Sequence, residues 1–159
     1  MDNTRMQDFL RQLHLVNEGD PWIGESFDKK LEDLSEEEAF QQPLSGIHSV
    51  AEVLSHLVEW RKELIARFKT GRPPLLMVES ESNWYNNEKL RKSGWHKLRE
   101  DFADTQRQLS RLWEKLDDSF LAQKYQGQYS YQYLVEGVIH HDLYHLGQIG
   151  LIIKIVRNR

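Results

Sequence analysis

The last segment of the chain carries the pattern that most restricts its fold. After Ser130, inward positions recur at alternating steps of four and three: Leu134, Val138, His141, His145, Gln148 and Ile152. This spacing is typical of an α-helix that packs lengthwise against other helices. Because His141 and His145 are four residues apart, both imidazoles lie on the same inward face. Buried imidazoles need partners, so the stripe predicts a helical bundle with a polar centre.

Three further segments show helical periodicity. A first amphipathic helix is predicted over residues 6–16, and a second over 49–71, between a capping box and Gly71. A third is predicted over 95–116, and the last over 130–156. Residues 75–93 have weak periodicity and are expected to form a long connection with a short helix over about 84–90. The sequence therefore predicts an all-α four-helix bundle with one long crossover connection.

Smaller elements are predicted from local end signals. Asp20-Pro21 resembles an N-cap followed by proline, which predicts a helix that carries Trp22 and Ile23 and continues through Leu34. Ser35 opens a capping box and a short helical turn. Residues 117–129 are expected to form a turn or loop. No stretch of the chain shows a convincing strand pattern.

The composition of the chain excludes several classes of site and disfavours several kinds of partner. At 159 residues, the chain is expected to form one domain over residues 1–159. It has no cysteine, which excludes disulfides, thiolate metal sites and a cysteine nucleophile. The net charge of −4 and the absence of a basic face argue against nucleic-acid binding. There is no apolar run of bilayer length and no signal-peptide pattern, so we expect no membrane association and a cytoplasmic location.

A third histidine strengthens the signal in the last helix. His56 lies on the face of the second helix that also carries Val53 and Trp60, so it points inward in a bundle. Zinc, nickel and similar divalent ions favour imidazole nitrogen, and three such ligands leave positions open for water or substrate. We therefore predict a metal site formed by His56, His141 and His145. The alternative is that these histidines hydrogen-bond to one another across the core.

Several side chains are candidates for supporting roles near this site. A ligating imidazole usually donates its second N–H to an oxygen, and Glu52 and Gln148 are placed to accept it, although the capping role of Glu52 competes. His48 either packs at the start of the second helix or lies at the mouth of the site. Trp60 and Tyr144 either line an apolar pocket or pack in the core.

The remaining polar side chains of interest are expected outside the metal shell. His140 and Asp142 each point about 100° away from His141 around the helix. Asp142 is therefore expected to face a neighbouring helix or a subunit contact, and His140 is a weaker ligand candidate. His14 and His96 are expected at the surface or in packing positions.

Two stretches resemble a known family. Residues 46–61, GIHSVAEVLSHLVEWR, and residues 141–149, HDLYHLGQI, are similar to the DinB-like (YfiT-like) metal-dependent hydrolase superfamily. The resemblance extends through nearly the whole chain and implies a four-helix bundle in up-down-down-up order that forms a homodimer. It also implies a nickel, zinc or similar divalent ion held by His56, His141 and His145. Some relatives use a low-molecular-weight thiol as cosubstrate.

Three functional hypotheses follow. The first is a metal-dependent enzyme, a hydrolase or a thiol-dependent S-transferase acting on a small-molecule substrate, in which the ion activates a water or a thiol. The second is a non-catalytic metal-binding or stress-response bundle, because the sequence shows no general base beyond the ligands. The third is a dimeric interaction module with a vestigial site. The sequence assigns no catalytic residue and no specific substrate.

Overall fold

The structure, a computed structural model that describes residues 3–158, is built almost entirely of helices. The all-α prediction is thereby confirmed. In chain order the elements are α1 (Thr4–Asn17), α2 (Phe27–Leu31), α3 (Glu36–Phe40), α4 (Val50–Thr70), a 3-10 turn (Glu81–Asn83), α5 (Asn87–Arg91), α6 (Trp95–Trp113), α7 (Asp118–Leu121), β1 (Lys124–Tyr125), β2 (Tyr129–Ser130) and α8 (Tyr131–Arg157).

The two helices that carry the histidines begin at the predicted caps. The Ser49 hydroxyl accepts from the backbone N–H of Glu52, and the Glu52 carboxylate accepts from the backbone N–H of Ser49. This capping box satisfies N–H groups that the helix itself cannot pair. Helix α4 ends at Thr70, and the next residue, Gly71, has a φ of +64°, which suits a residue without a Cβ. The Ser130 hydroxyl caps α8 by accepting from the backbone N–H of Tyr133.

The directions of α4, α6 and α8 follow from their contacts. Near the end of α4, the Phe68 ring lies 5.5 Å from the ring of Tyr131, at the start of α8. Near the start of α4, His56 meets His141, which lies farther along α8, so the two helices are antiparallel. The Phe68 ring also lies 6.2 Å from that of Trp113, at the end of α6, and the early apolar residues of α4 and α6 share one core cluster. Helices α4 and α6 are therefore parallel.

Helix α1 runs alongside α8 in the same direction. Its first turn places Arg5 3.4 Å from Gln132, and at its other end Asn17 binds Arg61, which also binds Asp142. The order is therefore up-down-down-up, as the resemblance implies. Because α4 and α6 are parallel, the chain must cross the length of the bundle between them, and residues 71–94 make this crossover.

The core is divided into two apolar clusters along α4 and α8. One contains the apolar residues of the first turns of α4 and those of the last turns of α8, and the other contains Ile65 and Phe68 with the first turns of α8. Between them, the same two helices carry buried polar side chains, including Arg61, Asp142 and His145. The candidate site therefore lies at a polar level in the middle of the bundle.

The helix predicted to begin at Pro21 does not begin there. Residues 21–24 form a turn, and α2 begins only at Phe27, after the N-cap position Ser26. Gly24 has a φ of +105°, which interrupts any helix that starts at Pro21. Trp22 is fully exposed, so no buried face stabilises a helix there.

The segment after α6 is more ordered than the predicted loop. Helix α6 ends at Trp113 rather than near Leu116, and α7 and a two-stranded hairpin follow. The hairpin turns at Gly127, whose φ is +73°, and pairs Lys124 with Ser130. Strands of two residues are too short to produce a detectable alternation. Among the described residues, no helix has both the length and the apolar character needed to span a bilayer.

Candidate metal centre

Three imidazoles meet where α4 crosses α8. The Nε2 atom of His141 lies 3.0 Å from Nε2 of His56 and 3.1 Å from Nε2 of His145. One ring nitrogen from each histidine lies within 4.8 Å of the other two. His56 and His145 are buried and His141 is half-buried. The residues selected by helical periodicity are thus brought together at one point.

The outer nitrogen of two of these rings faces an oxygen. Nδ1 of His56 lies 2.9 Å from the backbone carbonyl oxygen of Asn83, and Nδ1 of His145 lies 2.7 Å from Oε1 of Gln148. A carbonyl oxygen only accepts, so the proton of each neutral ring is placed on Nδ1. Each Nε2 then presents a lone pair towards His141. This is the tautomer that a metal-ligating histidine requires.

The surroundings keep all three rings neutral. Burial lowers the pKa of His56 to about 4, and the nearby His145 contributes to this shift. Burial lowers the pKa of His141 to about 3, with further contributions from the two neighbouring histidines. Burial also lowers the pKa of His145. At neutral pH the imidazoles are therefore unprotonated bases, the form that binds a cation.

Asn83 connects the crossover connection to the centre. In addition to its contact with His56, its side-chain oxygen accepts from Nε1 of Trp60 at 2.8 Å, and its side-chain nitrogen donates to the carbonyl oxygen of Val78 at 2.8 Å. The Trp60 ring lies 6.2 Å from that of His56 and 6.0 Å from that of His141. Asn83 lies in a stretch without periodicity, and no signal in the sequence identifies it.

The donor set fits a single divalent ion. Metal–imidazole bonds are about 2.0–2.1 Å long, and ligand atoms 3.0 and 3.1 Å apart are spaced as neighbouring ligands around one ion. Imidazole suits zinc, nickel, copper and iron better than magnesium or calcium. Among residues 3–158, this is the one group of three or more histidine, aspartate or glutamate side chains with ligand atoms this close.

Comparison with known families agrees with this geometry. The family model of the DinB superfamily matches residues 23–149, most of the chain. The chain belongs to the DinB superfamily. The matched span contains all three histidines and the crossover connection. No curated protein and no solved structure matches the chain.

Trp84 covers one side of the DinB centre. Its indole stacks on His56, with ring centroids 4.0 Å apart and planes 10° apart. His48 also stacks on this indole, at 3.9 Å and 1°. His48 therefore lies near the centre, separated from the ligand atoms by an aromatic contact. Tyr144 is largely exposed, and its ring lies 5.0 Å from that of His145.

Glu52 does not take the supporting role predicted for it. Its carboxylate accepts from the backbone N–H groups of Ser49, at 2.9 Å, and Asn87, at 3.2 Å, and lies 3.3 Å from Nδ1 of His48. These contacts hold the carboxylate at the start of α4, so the carbonyl oxygen of Asn83 serves His56 instead. Gln148 does contact His145, as its spacing suggested.

A buried ion pair lies next to the DinB centre. Asp142 faces the neighbouring helix α4, one of the two environments expected for it, and binds Arg61 through two contacts of 2.5 and 3.2 Å. Arg61 also donates to Asn17 at 2.8 Å, and its guanidinium carbon lies 4.0 Å from the Phe102 ring centroid. Both charged side chains are almost fully buried. The pair joins three helices and fixes the rotation of α8 beside His141.

The remaining histidines lie away from the centre. His14 and His96 have largely exposed side chains and lie 3.8 and 3.7 Å from the glutamates four residues farther along the chain. His140 is exposed on the outer face of α8. These placements match the expectations from spacing.

Proposed function

We propose that this DinB-superfamily chain is a metal-dependent enzyme in which His56, His141 and His145 hold one divalent ion, nickel, zinc or a similar metal. The observation that carries the proposal is the convergence of three Nε2 atoms in a buried setting. Two of them present lone pairs whose direction is set by Asn83 and Gln148. Lone pairs directed at one point repel unless a cation or a proton lies between them.

The reaction class follows from the open side of a three-histidine set. A divalent ion bound there supplies Lewis acidity that lowers the pKa of a coordinated water or thiol. We infer either hydrolysis of a small-molecule substrate or transfer to a low-molecular-weight thiol cosubstrate, because the chain has no cysteine of its own. Asn83 and Gln148 orient two ligand rings, while Trp60, Trp84 and Tyr144 are the aromatic side chains around the centre.

We infer a single domain over residues 1–159 that forms a homodimer in the cytoplasm. A supporting role near the centre is proposed for His48, whose ring stacks on Trp84 and whose Nδ1 lies 3.3 Å from the Glu52 carboxylate. No nucleic acid and no membrane takes part.

A second function is favoured by the carboxylates near the centre. Glu52 is held by the start of α4, and Asp142 is paired with Arg61. Neither carboxylate is available as a general base at the ligand atoms, which catalysis by water attack usually requires. A metal-binding or stress-response bundle without catalysis is therefore the alternative.

Metal content tests the site. Wild-type protein loaded with zinc or nickel and freed of excess ion is expected to retain about one equivalent per chain, since one three-histidine site is available. The double variant His141→Ala, His145→Ala is expected to retain none. His140→Ala is the matched control, because His140 is adjacent in sequence but exposed, and it should behave as wild type. Equal metal in wild type and the double variant would exclude this centre.

Turnover by loaded protein separates the two functions. We expect hydrolysis of p-nitrophenyl acetate, or conjugation of a chlorodinitrobenzene electrophile to a small thiol, to be lost on chelation and restored by one divalent ion. Persistent inactivity at full metal occupancy, across both kinds of probe, would favour the non-catalytic alternative.

A further inference from the structure

His56 is the one ligand of the proposed centre that does not come from α8. His141 and His145 share that helix, and its backbone sets their relative positions. Nδ1 of His56 instead lies 2.9 Å from the backbone carbonyl oxygen of Asn83, on the crossover connection. This hydrogen bond holds one atom of the ring. The torsion that tilts an imidazole about its bond to Cβ is broad, so a second contact is needed to hold Nε2 in one direction.

Trp84 supplies the second contact as the middle layer of a stack of three rings. Its indole centroid lies 4.0 Å from that of His56, with the planes 10° apart, and 3.9 Å from that of His48, with the planes 1° apart. Two imidazoles this close and this parallel to one indole cannot share a face, so they lie on opposite faces. The separations are those of favourable van der Waals contact. The indole is therefore held on both sides.

The outer ring of the stack is fixed at the start of α4. Nδ1 of His48 lies 3.3 Å from the Glu52 carboxylate. This carboxylate is buried and also accepts from the backbone N–H groups of Ser49 and Asn87. His48 directly precedes the cap of α4 and His56 lies within the helix, so one element carries both outer rings and the connection inserts the indole between them.

The connection is also anchored on either side of Trp84. Asn83, the residue before it, is buried. The side-chain oxygen of Asn87 accepts from the Ser49 hydroxyl at 2.7 Å, and its side-chain nitrogen donates to the carbonyl oxygen of Phe40 at 2.8 Å. The short link between these two anchors carries the indole, so the backbone as well as the stack sets its position.

We propose that Trp84 is a positioning residue for the ligand His56. Clamped between two imidazoles, the indole fixes the plane of the His56 ring and therefore the direction of Nε2, and His48 acts on His56 through Trp84. The proposal rests on the proposed function, because a fixed Nε2 serves an ion at the centre. A ring that is ordered before the ion arrives costs less to order on binding, so the stack raises metal affinity.

Four variants separate ring stacking from other roles. Trp84→Ala removes the middle layer. His48→Ala leaves the whole connection unchanged but frees one face of the indole, so it separates loss of the stack from disorder of the connection. His48→Phe restores a planar ring without a nitrogen. Tyr85→Ala is the matched control, because Tyr85 is adjacent to Trp84 and its ring packs on the Lys89 ammonium group at 3.8 Å.

Proton NMR of metal-free protein tests the stack itself. Ring protons held against the face of an indole resonate upfield of their ordinary positions, and the His56 signals are identified by their absence from a His56→Gln chain. We expect the upfield shift in wild type, Tyr85→Ala and His48→Phe. It should decrease in His48→Ala and vanish in Trp84→Ala. Ordinary His56 positions in a wild-type protein that binds metal would overturn the stack and leave the proposed function intact.

Metal affinity, measured by competition with a chelator for zinc or nickel, tests the positioning role. Loss of a residue that orients a ligand typically lowers metal affinity about 10- to 100-fold, and we expect a loss in this range for Trp84→Ala and a smaller one for His48→Ala. His48→Phe should recover most of the affinity, and Tyr85→Ala should match wild type.

Two results would overturn the positioning role. One is wild-type affinity in both Trp84→Ala and His48→Ala, and the other is a His48→Phe chain that binds as weakly as His48→Ala. Wild-type protein that binds no metal would overturn the proposed function, and with it the ligand role of His56, even if the NMR signature is present.

Discussion

Polar side chains at the centre of the bundle occupy positions that apolar residues usually fill. Each is matched to a partner on another element or another turn: His56 with Asn83, His145 with Gln148, and Asp142 with Arg61. Burial makes an unmatched polar group expensive, so removal of one partner harms the fold more than the pair itself stabilises it.

Asp142→Asn should show this asymmetry. The substitution leaves the Arg61 guanidinium buried without its counter-charge, and we expect a loss of about 3–5 kcal/mol in the free energy of unfolding. Chemical denaturation of chelator-treated protein measures this loss without a contribution from metal.

The matched control for Asp142→Asn is an exposed ion pair. Asp8 pairs with Arg11 at 2.6 Å, and both side chains are half-exposed or more. Asp8→Asn is expected to change the free energy of unfolding by no more than about 1 kcal/mol, because water screens exposed pairs. A similar small loss for both substitutions would contradict the importance of the buried pair.

The sequence predicts some of these residues and not others, for a physical reason. Helical spacing identifies His56, His141 and His145 because it determines which side chains share a face. The roles of Asn83 and Trp84 depend on how an aperiodic connection folds over α4. The pairing of Arg61 with Asp142 depends on the relative shift of two helices, which spacing within one helix does not determine.

At the scale of elements, the crossover connection is anchored to α4 by Glu63. This buried carboxylate accepts hydrogen bonds from Arg67, Arg72 and the backbone N–H of Leu75. Burial alone would raise the pKa of Glu63, but the hydrogen bonds from Arg72, Arg67 and Leu75 outweigh it and hold the pKa at about 2. The charged side chain of Glu63 therefore holds the first residues of the connection against α4.

Glu63 should contribute to stability in a defined pH range. Its pKa is lower in the folded chain than the unfolded value of 4.5, so its contribution is complete above pH 4.5 and is lost as the pH falls towards 2. The linked free energy is about 3 kcal/mol. Glu63→Gln is expected to be less stable at pH 7 and to lose less stability between pH 4.5 and 2. Denaturation at several pH values measures both effects.

Glu79→Gln is the control for Glu63→Gln, since Glu79 is an exposed residue of the same connection. It should match wild type at each pH. Parallel pH profiles for wild type and Glu63→Gln would show that this anchor is not the source of the acid sensitivity.

Asn83 ties the middle of the connection to the centre. Asn83→Ala removes the acceptor for Trp60 and the donor to Val78, but it keeps the backbone carbonyl oxygen that faces His56. We expect faster amide hydrogen exchange over residues 77–91, unchanged exchange in α1, and metal content equal to wild type. Unchanged exchange over 77–91 would exclude Asn83 as the link.

Local cap signals predict helix starts only where a buried face follows. The capping boxes at Ser35 and Ser49 open helices because buried apolar residues follow both. Asp20-Pro21 carries a comparable signal, yet Trp22 beyond it is fully exposed and Gly24 turns the chain. Favourable residues at a helix start do not stabilise a short helix unless one of its faces is buried.

At the scale of the whole molecule, periodicity predicts four helices but not their directions. Residues 71–94 are long enough for α6 to run either parallel or antiparallel to α4. The spacing of apolar residues therefore does not predict that the two helices are parallel. The family resemblance supplies the up-down-down-up order, and the contacts of Phe68 and Arg61 confirm it. This order is what brings His56 against His141 and His145.

Metal binding should stabilise the whole fold. A ligand that binds only the folded chain adds about 2.7 kcal/mol to the free energy of unfolding at one hundred times its dissociation constant. Zinc or nickel is expected to raise the denaturation midpoint of wild-type protein and of His140→Ala. The midpoint of the His141→Ala, His145→Ala variant should not respond, and an equal increase in all three proteins would place the binding elsewhere.

The most direct test of the centre is a crystal structure of zinc- or nickel-loaded protein with anomalous diffraction data. We expect one anomalous peak about 2.0–2.2 Å from Nε2 of His56, His141 and His145. Nδ1 of His56 is expected to keep its hydrogen bond to the carbonyl oxygen of Asn83. A stoichiometric ion bound by other side chains, or no peak between these three nitrogens in metal-saturated protein, would contradict the three-histidine centre.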